Sequence, residues 1–324
     1  MEEATPKLEP VFKPSPPVLG FNPAGGDRPP LLPLLLTMEC CASQQEMNSN
    51  VEATIARGYT PFSEYLNKYS GTLSICGSAP SLGYTYRDLT GDVMAINNAL
   101  KFLLEKGVVP KFAMFWDAAE VVEQFAIPHP EVIYFVGARC HPKVFERLKD
   151  CKVVVWYAGG DHNINDFMLE KGIGEPMVNG GSAGVTRGMY LGYAIGYHDA
   201  MHIHGADSSY SDEGKTHVNE SVVPEKDFRV WVGNHEGNQQ FRTTPEWCGQ
   251  VEEMKLIYTM FSNMLNVKLK VHGTGMLPHV VRIMQHRERE MGPAAIAQRL
   301  NQLANSPEAH QAATQGATHA NAGE

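Results

Sequence analysis

The residues with chemical capacity gather in a few short polar segments, each placed directly after an apolar run. In Cys76-Gly77-Ser78-Ala79-Pro80-Ser81-Leu82, small side chains let a backbone approach a phosphate. Pro80 suits the first turn of a helix, where its missing N–H costs nothing, and Ser81 offers a hydroxyl donor. An ordinary tight turn has the same composition, and the segment carries neither a full G-x-G-x-x-G nor a P-loop lysine. Asn97-Asn98 can read a ribose or base edge with donor and acceptor together, or cap the next helix. Asp117 suits a metal or a ribose hydroxyl, and equally a helix cap. Gly180-Gly181-Ser182-Ala183-Gly184 opens an apolar helix with Thr186 and Arg187 in its first turn. Exposed N–H groups at such a start favour an anion, and Arg187 can add a bidentate contact.

The densest cluster runs from His202 to Tyr210 and on to Gly214-Lys215-Thr216-His217. His202 and His204 alternate and so share one face of a strand. No third ligand is placed by spacing, so the pair reads as sheet-face histidines rather than as a metal site. Asp207 and His217 lie beyond the strand end, in polar sequence. The unperturbed pKa of histidine suits general-base work near neutrality, which singles out His217 in this segment, with His235 as its backup. There is no G-x-S-x-G elbow and no H-E-x-x-H helix, which excludes serine hydrolases of that type and zincins.

These segments need a scaffold, and the intervening runs supply one. Leu73–Cys76, Val93–Ile96, Phe112–Trp116, Val132–Val136, Val153–Trp156 and Ala200–His204 are short apolar stretches bounded by turn signals. Helical patterns at Ala99–Lys106, Lys143–Lys149 and Val185–Ile195 separate several of them. This alternation predicts an α/β fold, a Rossmann-like and mostly parallel sheet with helices on both faces. Ligands of such sheets bind beyond the carboxyl ends of the strands at the topological switch point, which is where the polar segments fall. The long hydrophilic stretch 208–244 reads as an irregular lid, and Glu246–Leu265 as an amphipathic helix with an apolar face including Met254, Met260 and Met264.

The ends differ from this middle. Nine of the 21 prolines fall in the first 36 residues, so residues 1–44 are expected to form an extended, disordered arm. From Pro293 to Glu324 there are ten alanines and only three charged residues, predicting a helix over Pro293–Ala304 and then a disordered tail. The folded domain is thus placed at 45–290 and the C-terminal extension at 291–324. Of 324 residues, 27 are Lys or Arg and 36 Asp or Glu, a formal charge of −9. That balance argues against a broad nucleic-acid surface while permitting one local anion pocket. Cys40, Cys41, Cys76, Cys140, Cys151 and Cys248 form no CxxC pair and read as reduced thiols of a cytoplasmic protein. The apolar run Leu31–Leu36 contains a proline and is too short to span a bilayer.

Taken in order, Gly77-Ser78-Ala79-Pro80-Ser81-Leu82, Ala95-Ile96-Asn97-Asn98, Gly107-Val108-Val109-Pro110 with Asp117, Gly180-Gly181-Ser182, and Gly205 through Tyr210 to His217 resemble the MptE-like family. That family includes 6-hydroxymethylpterin diphosphokinases and the motility accessory factors implicated in glycosylating flagellin with nonulosonic acids. The first two motifs are also similar to those of CMP-sialic acid-dependent bacterial sialyltransferases. The resemblance covers about residues 48–220. It departs from the usual G-x-G-P-S-L at Ser78 and Ala79.

The resemblance implies that the Gly77–Leu82 loop cradles nucleotide phosphate or ribose and that Asn97 contacts the nucleotide. Asp117, Gly181, Ser182 and Asp207 would line the site, with His217 moving a proton. Three functions follow. The first is glycosyl transfer from a nucleotide-activated, CMP-linked sugar without a required cofactor. The second is diphosphoryl transfer from ATP to a pterin-like alcohol, with Mg²⁺ on Asp117 and Asp207. The third is a non-catalytic nucleotide-binding module.

Overall fold

A computed structural model describes residues 42–159, 167–219, 229–233 and 239–304. Nearly all of the proline-rich arm, the tail beyond Ala304 and His235 lie outside the described residues. The strands are β1 (Thr60–Pro61), β2 (Thr72–Cys76), β3 (Asp92–Ile96), β4 (Phe112–Phe115), β5 (Ile133–Gly137), β6 (Lys152–Ala158), β7 (Met177–Val178), β8 (Ala200–His204), β9 (Val230–Gly233), β10 (Gln240–Thr243) and β11 (Lys268–Val271). The main sheet runs β1-β6-β5-β4-β3-β2-β8-β11, with β7 beside β6, and its pairings are parallel. This is the α/β, Rossmann-like architecture expected.

Buried on both faces, the strands are nearly continuous apolar runs whose alternate residues enter two cores. Leu73, Ile75, Met94, Ile96, Met201 and Ile203 point into one, under helices α5 (Gly184–Ala194), α6 (Pro245–Thr259) and α7 (Met276–Ala304). Cys76, Ala95, Ala113, Phe115, Tyr134 and Val136 point into the other. Helices α1 (Gln44–Ile55), α2 (Leu82–Thr85), α3 (Ala99–Glu105) and α4 (Pro142–Arg147) contribute Val51, Leu82, Leu100 and Phe145 to it.

Chain order reverses at β2, since β3 to β6 extend to one side and β8 and β11 to the other. That is the switch point. Helix α5 lies close against it because Gly184, Gly188 and Gly192 recur every fourth residue on its inner face. A methyl at any of them would press on Ile96, Ile75 or Leu73, so the glycines set the spacing between helix and sheet.

Two expectations need correction and a third is met. The stretch 208–244 is not wholly irregular, because β9 and β10 form an antiparallel hairpin with Phe241 opposite Val232. Val230-Trp231-Val232 and Gln240-Phe241-Arg242 alternate strongly enough to pair, with Val232 and Phe241 packed on the core and Trp231 outside. The helix expected at Pro293–Ala304 is present, as the second half of α7. The longer element is interrupted only at Gly292, whose φ is +73°. The methionine face of α6 is also shorter than expected. Met254 is buried, but the helix widens into a π turn over Met260–Met264, which turns Phe261 inward and leaves Met264 67% exposed.

Among the described residues no helix is long and apolar enough to cross a membrane, and Cys76, Cys151 and Cys248 are free thiols.

Candidate functional site

The loop after β2 and the loop after β8 meet backbone to backbone. Gly77 donates its N–H to the carbonyl of His204 at 2.8 Å, and Ala79 donates to that of Gly205 at 3.0 Å. A Cβ on Gly77 would run into the Gly205 carbonyl and one on Gly205 into the Gly77 carbonyl. Gly205 also has φ +60°, so both the close approach and the left-handed turn require glycine here. The N–H of Ser81 donates to Asp207 Oδ2 at 2.8 Å. Three N–H groups expected to cradle phosphate are therefore committed within the protein.

The anion-favouring groups lie opposite, at the start of α5. Its first helical bond runs from Arg187 N–H to the Ala183 carbonyl, so the N–H groups of Gly184, Val185 and Thr186 have no partner within the helix. These three residues line a cleft with Gly77, Ser78, Ala79, Asn97, Asp207 and His217. Asn97 holds a left-handed turn at φ +47°, and its buried Oδ1 has no hydrogen-bond partner among the described residues. Asp207 is 5% exposed. Burial pushes its carboxyl upward from the ordinary range, while the hydrogen bonds with Ser81 pull the other way. Its Oδ1 is buried and unpartnered among the described residues.

This cleft, about 190 Å³, adjoins a second of about 850 Å³ lined by Pro80, Ser81, Tyr84, Lys215 and Thr274. Asp207, Ser209 and His217 line both. His217 Nδ1 lies 2.9 Å from the hydroxyl of Thr216, and burial lowers its pKa from the ordinary value, keeping the imidazole neutral at neutrality. The segment carrying it is tied down. Tyr210 donates its N–H to the Arg242 carbonyl, and Val218 donates to Ser78. Arg229 and Arg242 both stand about 5 Å from the Tyr210 ring centre.

The remaining candidates lie elsewhere. Gly180, Gly181 and Ser182 line a separate depression with Trp116, Arg139, Arg187 and Glu253. There an internal carboxylate takes the position expected for a ligand. Glu253 accepts from the Ser182 N–H at 2.8 Å, from its hydroxyl at 2.7 Å and from Thr186 Oγ1 at 3.2 Å. Arg187 spends its Nη1 on the carbonyls of Val178 and Gly159. Burial first, then the neighbouring Arg139, lowers its pKa to about 10. Asp117 accepts the N–H of Ala119 two residues on, a local turn rather than a cap, since the helix over Glu120–Phe125 has no side-chain cap, and it lines neither compartment. Asn98 is buried and accepts from Asn219.

Residues from the C-terminal elements were missing from the sequence-based site. Trp247, Gln250 and Met254 of α6 and Leu277 of α7 complete the wall of the first cleft. Gly275 is pressed against Asp207, and Leu277 donates its N–H to the Asp207 carbonyl. The alternation Lys268-Leu269-Lys270-Val271 before a Gly-Thr-Gly turn was the available signal for β11 and for this loop.

A family model described as 6-hydroxymethylpterin diphosphokinase MptE-like matches residues 47–213, just over half of the chain. The protein belongs to the MptE-like family. A solved structure of the MAf glycosyltransferase from Magnetospirillum magneticum AMB-1 is similar to this MptE-like chain at 15% identity, with a TM-score of 0.48. The match covers 71% of this chain and 37% of that one, so the MptE-like chain spans little more than a third of that glycosyltransferase. No curated protein matches the sequence.

Proposed function

We propose that this MptE-like protein is a nucleotide-dependent transferase, and that it moves a sugar from a nucleotide-activated, CMP-linked donor to an acceptor hydroxyl. The observation that carries the reading is the pair of adjoining clefts sharing Asp207, Ser209 and His217. A donor in the narrow cleft places its phosphate toward the N–H groups of α5 that have no partner within the helix, where negative charge is stabilised. The acceptor occupies the broader compartment. Neutral His217 takes the proton of the acceptor hydroxyl as its oxygen bonds to the anomeric carbon. The bond from that carbon to phosphate oxygen breaks, and the nucleotide leaves with the electron pair.

The alternative, diphosphoryl transfer from ATP to a hydroxymethylpterin-like alcohol, calls for Mg²⁺ on Asp117 and Asp207. Asp207 has a buried oxygen to offer, but Asp117 lies outside both compartments. The two residues do not fit as a joint Mg²⁺ site. A non-catalytic nucleotide-binding module would use the same clefts without proton transfer.

Thermal-shift measurements with CMP, CDP, ATP and GTP, with and without Mg²⁺, separate these readings. Metal-independent stabilisation by CMP is expected. Stabilisation by ATP only with Mg²⁺ would transfer support to the diphosphokinase, and no shift with any nucleotide would remove both enzymes. A pH profile tests the base. Because burial lowers the pKa of His217, the acid limb of the rate is expected to be centred below the ordinary histidine value of about 6.5, where the imidazole takes up its proton. A limb centred above pH 6.5 would assign it to another group.

A further inference from the structure

The face of the sheet carrying His202 and His204 turns polar at its β8–β11 edge. Parallel register sets Lys270 opposite His202, and His272 follows β11 with its N–H on the Ile203 carbonyl. The third imidazole that spacing within β8 did not provide therefore comes from 68 residues later, since 272 − 204 = 68. One ring nitrogen from each of His202, His204 and His272 lies within 4.8 Å of the others. His272 Nε2 is 3.4 Å from His202 Nδ1.

A histidine kept merely for packing would bond its ring nitrogens. His204 is fully buried, yet neither of its nitrogens has a well-formed hydrogen bond among the described residues, and backbone at Thr85 is the polar group that approaches it. Such a group in an apolar core is costly unless something occupies it. His202 and His272 are half-buried, which gives a path from solvent to the inner ring.

We propose that His202, His204 and His272 form a binding site for a divalent ion of the zinc class, separate from the transferase clefts. Three neutral imidazoles with an open fourth position suit Zn²⁺, Co²⁺, Ni²⁺ or Cu²⁺, whereas Mg²⁺ and Ca²⁺ favour oxygen donors. Burial lowers the proton affinity of all three rings, so protons compete weakly for the ligand nitrogens. Lys270 opposes a cation here and Asp88 favours one beside His272. His204 and His272 are stacked, with centroids 4.0 Å apart and planes at 16°. In-plane lone pairs of stacked rings cannot meet at one ion, so the outer ring of His272 must turn on binding. The ion would clamp β11 to β8, beside the Gly273 backbone that abuts Ser81 and Asp207.

The test uses full-length, tag-free protein, stripped with chelator and titrated with Co²⁺. Visible absorption saturating at about one equivalent and displaced by Zn²⁺ is expected. His272→Ala and His202→Ala should each abolish that absorption and weaken Zn²⁺ binding at least about tenfold. Zn²⁺ should also raise the melting temperature of the wild type but of neither variant. The metal-free melts of both variants report whether they fold. Absorption unchanged in either folded variant, or no Co²⁺ binding by the wild type, overturns the proposal. None of these readouts depends on transferase activity.

Discussion

Replacing His217 by alanine is expected to lower turnover by ~10²–10⁴-fold while nucleotide-induced stabilisation stays near the wild-type value. The proposed roles confine His217 to proton transfer and assign the phosphate to the first turn of α5 across the cleft. Removing an imidazole that faces both compartments leaves those N–H groups in place. Release of CMP from a CMP-linked nonulosonic acid measures the first quantity and thermal shift the second. A fully active variant would take His217 out of the mechanism, and loss of the nucleotide shift would move it into binding.

Gly205→Ala is expected to cost about 3 kcal/mol or more, the largest effect of a single added methyl at the site. Two penalties coincide. The residue sits at φ +60°, which disfavours an L side chain, and the new methyl collides with the carbonyl of Gly77. Because that carbonyl belongs to backbone locked between two central strands, relief requires separating the β2 and β8 loops. For a domain of this size the melting temperature should fall by about 6–12 °C. Gly107→Ala is the control. It has a similar φ of +74° but open space around the position, so only the backbone strain of about 1 kcal/mol is expected. Equal losses in the two variants would show that crowding at the β2–β8 junction contributes nothing.

What was legible in the sequence follows the range of the forces involved. Runs such as Val153–Trp156 declare a strand buried on both faces, because burial leaves no place for alternation. Gly77, Asn97 and Gly205 declare strand ends through turn chemistry, and the structure brings all three to the switch point. What escaped was tertiary. Glu253 cannot be recognised as the partner of Ser182 and Thr186 from 71 and 67 residues away. Nor does His272 announce itself as the neighbour of His204 before the register of β11 is known. The Gly77 loop shows the opposite error. Its composition fits a phosphate cradle, yet the N–H groups of Gly77, Ala79 and Ser81 are taken up by His204, Gly205 and Asp207 at and beyond the end of β8, which only the fold reveals.

The placement of β11 has a consequence for how the chain can be divided. The family match ends at residue 213, which suggests a tidy place to truncate. In the fold, β11 is the last strand of that side of the sheet, and it presents exposed Lys268 and Lys270. Lysines on an outer strand discourage a second molecule from adding its own strand there. A fragment ending near 213 would lose that guard and offer the hydrogen-bonding edge of β8, Ala-Met-His-Ile-His, to any neighbouring chain. Self-association through open strand edges, rather than a smaller working enzyme, is what such a cut would produce.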